Sequence, residues 1–232
     1  MSRAFDAVVL TCEHGGNVVP KAYAALFRGD GKVLATHRGW DIGALGVAEG
    51  LAKRLGAPLH YAKTTRLLVD LNRSLHSKGV WSDWTRSLDG STRREIEARY
   101  HAPYRKEVEE RLKKFVVAGK RVLHLSIHSF TPELNGTVRN AEVGILYDPK
   151  RGFEAKLARG LAAAVAEQNP GLRVRRNYPY VGYSDGFTTC LRKQFPATRY
   201  AGIEIETKQD EIQAVAGQRR YVEIYQRALE SR

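Results

Sequence analysis

Cysteine is nearly missing from this chain. Cys12 and Cys190 are its two thiols, in no zinc-like or redox spacing. A disulfide framework is therefore not expected, and a reducing, cytoplasmic setting is. Long apolar runs are missing too: none approaches the roughly 20 residues that a membrane span needs. The first residues lead straight into a strand without the apolar region of a secretory signal. The loop His14-Gly15-Gly16-Asn17 is not followed by the Gly-Lys-Ser/Thr of a nucleotide site, so a phosphate-cradling loop is not expected. Internal repeats, low-complexity tracts and an arginine-rich tail are also lacking.

What is present is ordinary for a globular protein: 232 residues, 43% apolar and 27% charged. That length predicts one domain over residues 1–232 with a substantial core. The formal net charge of +13 raises the question of a nucleic-acid partner. The basic residues, however, are spread along the chain, and between Thr92 and Arg121 ten Lys/Arg are interleaved with five Glu on one predicted helix. No aromatic-basic platform accompanies them. A small anionic substrate accounts for the same sign, because a positive field concentrates carboxylates.

Strand-like and helix-like patterns alternate. Apolar runs at 7–10, 58–62, 67–71, 122–127, 143–146 and 200–206 predict strands. Helical periodicity predicts helices at 41–55, 92–117 (opened by a Thr92–Glu95 capping box), about 153–166 and 212–229. Residues 74–91 and 177–186 are expected to be functional loops. The pattern implies an α/β fold in three layers, a mostly parallel or mixed central sheet with helices on both faces.

Two strand ends carry histidines. Ala7-Val8-Val9-Leu10 runs into Thr11-Cys12-Glu13-His14, and Val122 to Ile127 delivers His128. Open parallel sheets place their sites at such edges, and zinc accepts His nitrogen with Asp or Glu oxygen. Asp41, at a predicted helix start, and Glu13, beside His14, both compete as the oxygen ligand, although strand alternation points Glu13 to the face opposite His14. Alternatively, Asp41 serves as a helix N-cap and the histidines are hydrogen-bonded core residues. In Glu204-Ile205-Glu206 the two carboxylates point to one face, where either could act as a general base. Asn72-Arg73 closes another predicted strand, and its guanidinium offers a fork for a carboxylate.

The segments Val9–Pro20, His37–Ala44, Leu67–Arg73 and Ser126–Pro132, followed by Glu204-Ile205-Glu206, occur in this order. Together they resemble the N-formylglutamate amidohydrolase family, from residue 8 to about 210. The resemblance implies a zinc-dependent-exopeptidase-like, phosphorylase/hydrolase-type fold. It also implies metal-dependent hydrolysis of an N-acyl amino acid, typically N-formylglutamate, in histidine degradation. More distantly the motifs are similar to those of zinc N-acetylmuramoyl-alanine amidases and zinc carboxypeptidases. These likenesses imply His14, Asp41 and His128 as ligands of Zn2+ or another divalent metal, and Glu206 as base with Glu204 second. They imply Asn72 and Arg73, aided by Ser129 and Arg139, at the carboxylate of a small anionic substrate. The alternatives are a hydrolase acting on peptidoglycan or peptide fragments, and a non-catalytic homologue that only binds ligand. The segment after Arg139 and residues 74–90 depart from the family pattern.

Overall fold

The computed structural model describes residues 4–231. Strand β1 (Ala7–Cys12) leads through a 3-10 turn (Lys21–Phe27) and a short helix, α1 (Gly31–Leu34), to α2 (Ala44–Leu55) and β2 (Leu59–Tyr61). A second excursion forms α3 (Gly90–Ile96), a π-helical turn (Glu97–His101) and α4 (Ala102–Val117) before β3 (Val122–Phe130). The hairpin β4 (Glu133–Leu134) and β5 (Thr137–Val138) precedes β6 (Val143–Leu146) and α5 (Gly152–Gln168). The chain then forms β7 (Val174–Arg176), α6 (Phe187–Gln194), β8 (Tyr200–Lys208), α7 (Gln209–Ile212) and α8 (Val215–Glu230).

Six strands form one sheet in the order β2-β1-β3-β8-β6-β7. β2, β1, β3 and β8 run parallel; β6 is antiparallel to β8 and parallel to β7. Every residue of β3 is buried, as befits a central strand covered on both faces. Its two faces carry different chemistry. Leu123, Leu125 and Ile127 join Ile203 and Ile205 in the larger core, under α2, α5 and α8. Val122 joins the smaller core under α4 and α6, with Phe187, Leu191 and Tyr200. Along the same face follow His124, Ser126 and His128, a polar line running toward the strand's carboxyl end, which Phe130 closes. Each fully buried Leu or Ile contributes about 2 kcal/mol, so the apolar face holds the sheet while the other is free for polar work.

Several sequence expectations are corrected. Residues 67–71 do not form a strand. Leu68 and Arg73 donate backbone bonds to Thr65 and Asp70, three residues back, and Leu68, Val69 and Leu71 bury against Tyr23, Val80 and Ile96. An apolar run under a long loop has the composition of a strand without a neighbour to pair with. The helix expected from Thr92 starts earlier, because the Asp89 carboxylate accepts from the Ser91 and Thr92 amides, a cap worth about 1 kcal/mol. The helix expected from Asp41 starts at Ala44, after Gly43. Residues 209–230 hold two helices, α7 and α8, rather than one. The 3-10 turn, α1, α6 and β7, none longer than eight residues, are not among the elements expected from the sequence. No described helix is long and apolar enough to cross a membrane.

Candidate active site

Three chain segments end at the carboxyl edge of β1 and β3. After Cys12 the chain turns sharply, and a side chain at Gly16 would lie 2.7 Å from the Lys63 carbonyl. That close approach holds His14 under the edge. The His14 carbonyl in turn accepts the Asp41 amide at 2.9 Å. Two residues on, Gly43 has φ +82°, and a Cβ there would strike the Ile212 carbonyl. Only glycine turns the chain this way, and the turn aims Asp41 at the sheet. Asp41 is therefore not the N-cap of α2; its carboxylate serves the site.

His14, Asp41 and His128 converge, each 3% exposed or less. Their nearest ligand-type atoms lie within 4.8 Å of one another. His128 Nδ1 lies 2.7 Å from Asp41 Oδ2. His14 Nδ1 lies 3.4 Å from the same oxygen and, though buried, has no hydrogen-bond partner. Each imidazole is anchored through its other nitrogen. His14 Nε2 donates to Asp70 Oδ1 at 2.7 Å. His128 Nε2 lies 2.8 Å from Ser126 Oγ and 3.2 Å from Glu13 Oε2. Both rings thus present Nδ1 to one point with a carboxylate behind them, as second-shell acids orient metal-bound histidines.

Charge follows the same plan. Burial works against ionisation, yet Asp70 and Asp41 hold the His14 pKa above its ordinary value. Burial likewise opposes a charged His128, but the hydrogen bonds it donates to Asp41 and Glu13 raise it well above that value. Against burial, His14 and His128 hold Asp41 low, and Arg66 and His14 hold Asp70 low. Both imidazoles are held toward their charged form where carboxylates converge. A divalent cation meets the same demand, and the orphaned Nδ1 of His14 supplies a donor otherwise wasted. The donor set of two nitrogens and one oxygen fits a catalytic zinc site, which leaves a position for water.

Glu206 stands next to His128 in the paired strands β3 and β8. It is 5% exposed, its Oε2 has no partner, and burial pushes its pKa up to about 7. Glu204, opposite Ser126 in register, accepts from Thr188 Oγ1 at 2.6 Å. Both carboxylates line a cavity of about 110 Å3 with His14, Asp41, His128 and Ser129. Arg66, Asn72, Arg73 and Tyr180 complete much of its wall. Larger grooves exist between α2 and α8 and beside α4, but no buried titratable group lines them.

The expected binding residues divide. Asn72 and Arg73 reach the cavity; Asn72 Oδ1 accepts the Phe187 amide at 2.8 Å, and Arg73 donates to the Asp185 carbonyl. The Ser129 hydroxyl donates to the Ile42 carbonyl, so it braces the Asp41 turn. Arg139 does not line the cavity; it lies 4.9 Å over the ring of Tyr180, which does. Glu13 does not point away from the site, as its place beside His14 suggested. It lies beyond the last residue of β1 and reaches the far nitrogen of His128. Arg66 and Asp70 are functional neighbours that sequence reasoning missed. Arg66 bridges Asp70 Oδ2 at 2.7 Å and Asp41 Oδ1 at 3.4 Å, and their spacing of four residues was the only available signal.

Ser126, His128 and Asp41 also have the connectivity of a serine-hydrolase triad. Ser126 does not work as a nucleophile here. It is 1% exposed, donates its hydroxyl proton to Glu13 Oε2 at 2.6 Å and does not line the cavity. A nucleophile needs a free path to the carbonyl carbon.

Comparison with known proteins bears on the family and the fold. The family model described as N-formylglutamate amidohydrolase matches residues 6–213. The crystal structure of gene product Atu2144 from Agrobacterium tumefaciens is 32% identical, covering 98% of this chain and 92% of that one, with a TM-score of 0.83. The N-formylglutamate amidohydrolase from Ralstonia eutropha JMP134 is 19% identical over 99% of this chain and 94% of its own, with a TM-score of 0.73, a likeness of fold. No curated protein matches in sequence.

Proposed function

The chain belongs to the N-formylglutamate amidohydrolase family, and on that premise we propose that it hydrolyses the amide of a small N-acyl amino acid, N-formylglutamate first among them. One domain spanning the chain carries the reaction. The observation that supports this most is a carboxylate, Glu206, with an unpartnered oxygen in the same cavity as His14, Asp41 and His128.

His14 and His128, through Nδ1, and the Asp41 carboxylate would hold a divalent cation, zinc being the first choice for this donor set. When bound, such an ion polarises an acyl carbonyl and lets water attack at neutral pH. The remaining work falls to side chains. Glu206 accepts a proton as the water oxygen bonds to the carbonyl carbon. When the carbon–nitrogen bond breaks, Glu206 passes that proton to the departing amine. A carboxylate with a pKa of about 7 suits both halves of this exchange. Arg66, a cation on the cavity wall fixed by Asp70 and Asp41, balances the negative charge that develops on the carbonyl oxygen. Arg73 and Asn72 receive the substrate carboxylate. Glu204, held by Thr188, orients what the other groups bind.

The test is release of formate or acetate from a panel of N-acyl amino acids and a muramoyl-peptide, with and without chelator and added zinc. Chelator-sensitive release of formate from N-formylglutamate is the expected result. Cleavage of the muramoyl-peptide alone favours the cell-wall reading, and no turnover by metal-loaded protein leaves a ligand-binding homologue.

A further inference from the structure

The helical segment from Gly90 to Val117 is interrupted by one π-helical turn, in which the Ala102 amide reaches back five residues to the Glu97 carbonyl. Such a turn widens the helix and shifts the angular place of everything after it, and it is kept where it serves a site. Here the first residue in position to profit is His101, at the end of the turn. The second is Arg105, four residues on and so on the same face. Both are buried, at 4% and 7% exposure.

Both donate to the same loop. His101 Nε2 lies 2.9 Å from the Arg73 carbonyl. Arg105 Nη1 lies 3.1 Å from that carbonyl and 3.2 Å from the Leu71 carbonyl. Among the described residues no carboxylate pairs with Arg105. Its guanidinium instead lies 4.2 Å from the centre of the Phe187 ring, and the Phe187 amide holds the Asn72 side chain. A buried guanidinium spent on two backbone carbonyls is an unusual use of charge, and both carbonyls flank Asn72.

We propose that His101 and Arg105 are positioning residues that fix the backbone of Leu71–Arg73 and so aim the Asn72 and Arg73 side chains at the substrate. The inference rests on the proposed role of Arg73 as carboxylate binder. The π turn is the device that brings two donors onto one loop carbonyl; a regular helix would rotate His101 and Arg105 relative to buried Ile96, which precedes the turn. Neither residue touches the cavity, so neither takes part in the chemistry. Their effect is on affinity, and on preference for acidic over neutral substrates.

The experiment compares His101→Leu, His101→Gln, Arg105→Lys and Arg73→Ala, each metal-loaded, on the best acidic substrate of the N-acyl panel. The same proteins are titrated with free glutamate by calorimetry. Removing one charge-assisted or buried bond corresponds to about a tenfold change in affinity. His101→Leu and Arg105→Lys should therefore raise KM and the glutamate dissociation constant about tenfold, with kcat within about twofold. His101→Gln keeps a donor and should recover most of the loss. In an Arg73→Ala background, His101→Leu should cost nothing more. If His101→Leu does not fold, Arg105→Lys, which keeps the charge and loses the fork, carries the comparison. Unchanged KM and glutamate affinity in folded variants, beside a clear loss in Arg73→Ala, would overturn the inference alone. An unaffected Arg73→Ala overturns both it and the role given to Arg73. A fall in kcat and thermal midpoint with KM unchanged makes the two residues structural props and likewise overturns it.

Discussion

His124 and His128 sit on one strand, on one face, four residues apart, and both are sealed from solvent. Their ring nitrogens are equally well partnered, yet they behave in opposite ways. His124 meets two hydroxyls, Thr11 Oγ1 and Tyr200 Oη, each at 2.8 Å. Burial then prevails, and its pKa falls to about 4. His128 meets two carboxylates, Asp41 and Glu13, and is driven the other way. Depth in the fold does not make an imidazole structural or functional; the charge of its partners does. The distance from core histidine to site histidine along β3 is one serine and two apolar residues.

The largest effect expected from breaking this contrast is at His128. His128→Ala should remove bound metal and activity while the protein stays folded, because the apolar face of β3 is untouched. Metal analysis with circular dichroism checks it, and full metal occupancy in the variant would sink the ligand assignment. Next comes Glu206→Gln, nearly isosteric, which should keep metal and fold but lose roughly 100-fold or more in turnover, the scale of a positioned general base. Glu204→Gln should lose far less, and the reverse order would hand the base role to Glu204. Glu13→Gln sharpens the comparison by giving His128 a neutral partner like those of His124. It should weaken metal affinity about 10- to 100-fold, read by competition with a chelator of known affinity.

The smallest effect concerns stability and pH, and the two histidines should give opposite signs. A buried histidine with a lowered pKa costs stability as pH falls below the ordinary imidazole value of about 6.5, since the unfolded chain takes the proton first. For His124, at about 4, the loss by pH 4 is on the order of 3 kcal/mol. A raised pKa acts the other way. His128 in metal-free protein contributes stability that is present below about pH 6.5 and lost as pH rises through its elevated value. Urea unfolding of metal-free protein between pH 4 and 8 tests this. His124→Gln should flatten the acid side and leave metal binding unchanged; an unaltered acid limb would remove His124 from the account.

What was legible in the sequence is what local pattern encodes. The apolar runs of β1, β3 and β8 announce themselves, and with them the strand-end positions of His14, His128 and Glu206. Contacts made at long range do not. Asp70 and Arg66 sit in a stretch that looks like a strand because Leu67, Leu68 and Val69 are apolar, yet that stretch is a turn whose polar residues face the site. Glu13 was misjudged by applying strand alternation one residue past the end of the strand. For Asp41 the sequence leaves a helix cap open as the alternative to a ligand, and Gly43, with its positive φ, closes it by putting the helix start three residues later. The direction of β6 depends on a crossover that no single segment records.

The strand order also has a bearing on how the protein comes into being. β8 is the last strand in the chain, yet it lies between β3 and β6 in the middle of the sheet. During synthesis from the N-terminus, β2, β1 and β3 can associate early, and β6 and β7 can pair, but nothing joins the two pieces until residues 200–208 have emerged. Glu204 and Glu206 arrive on that joining strand, and the Ile212 carbonyl that packs against the Asp41 turn follows it. Such non-local pairing is slow, so between the completion of β6 at Leu146 and the arrival of β8 the nascent chain carries both inner edges open to other strands, and its dependence on chaperones should be set by that interval.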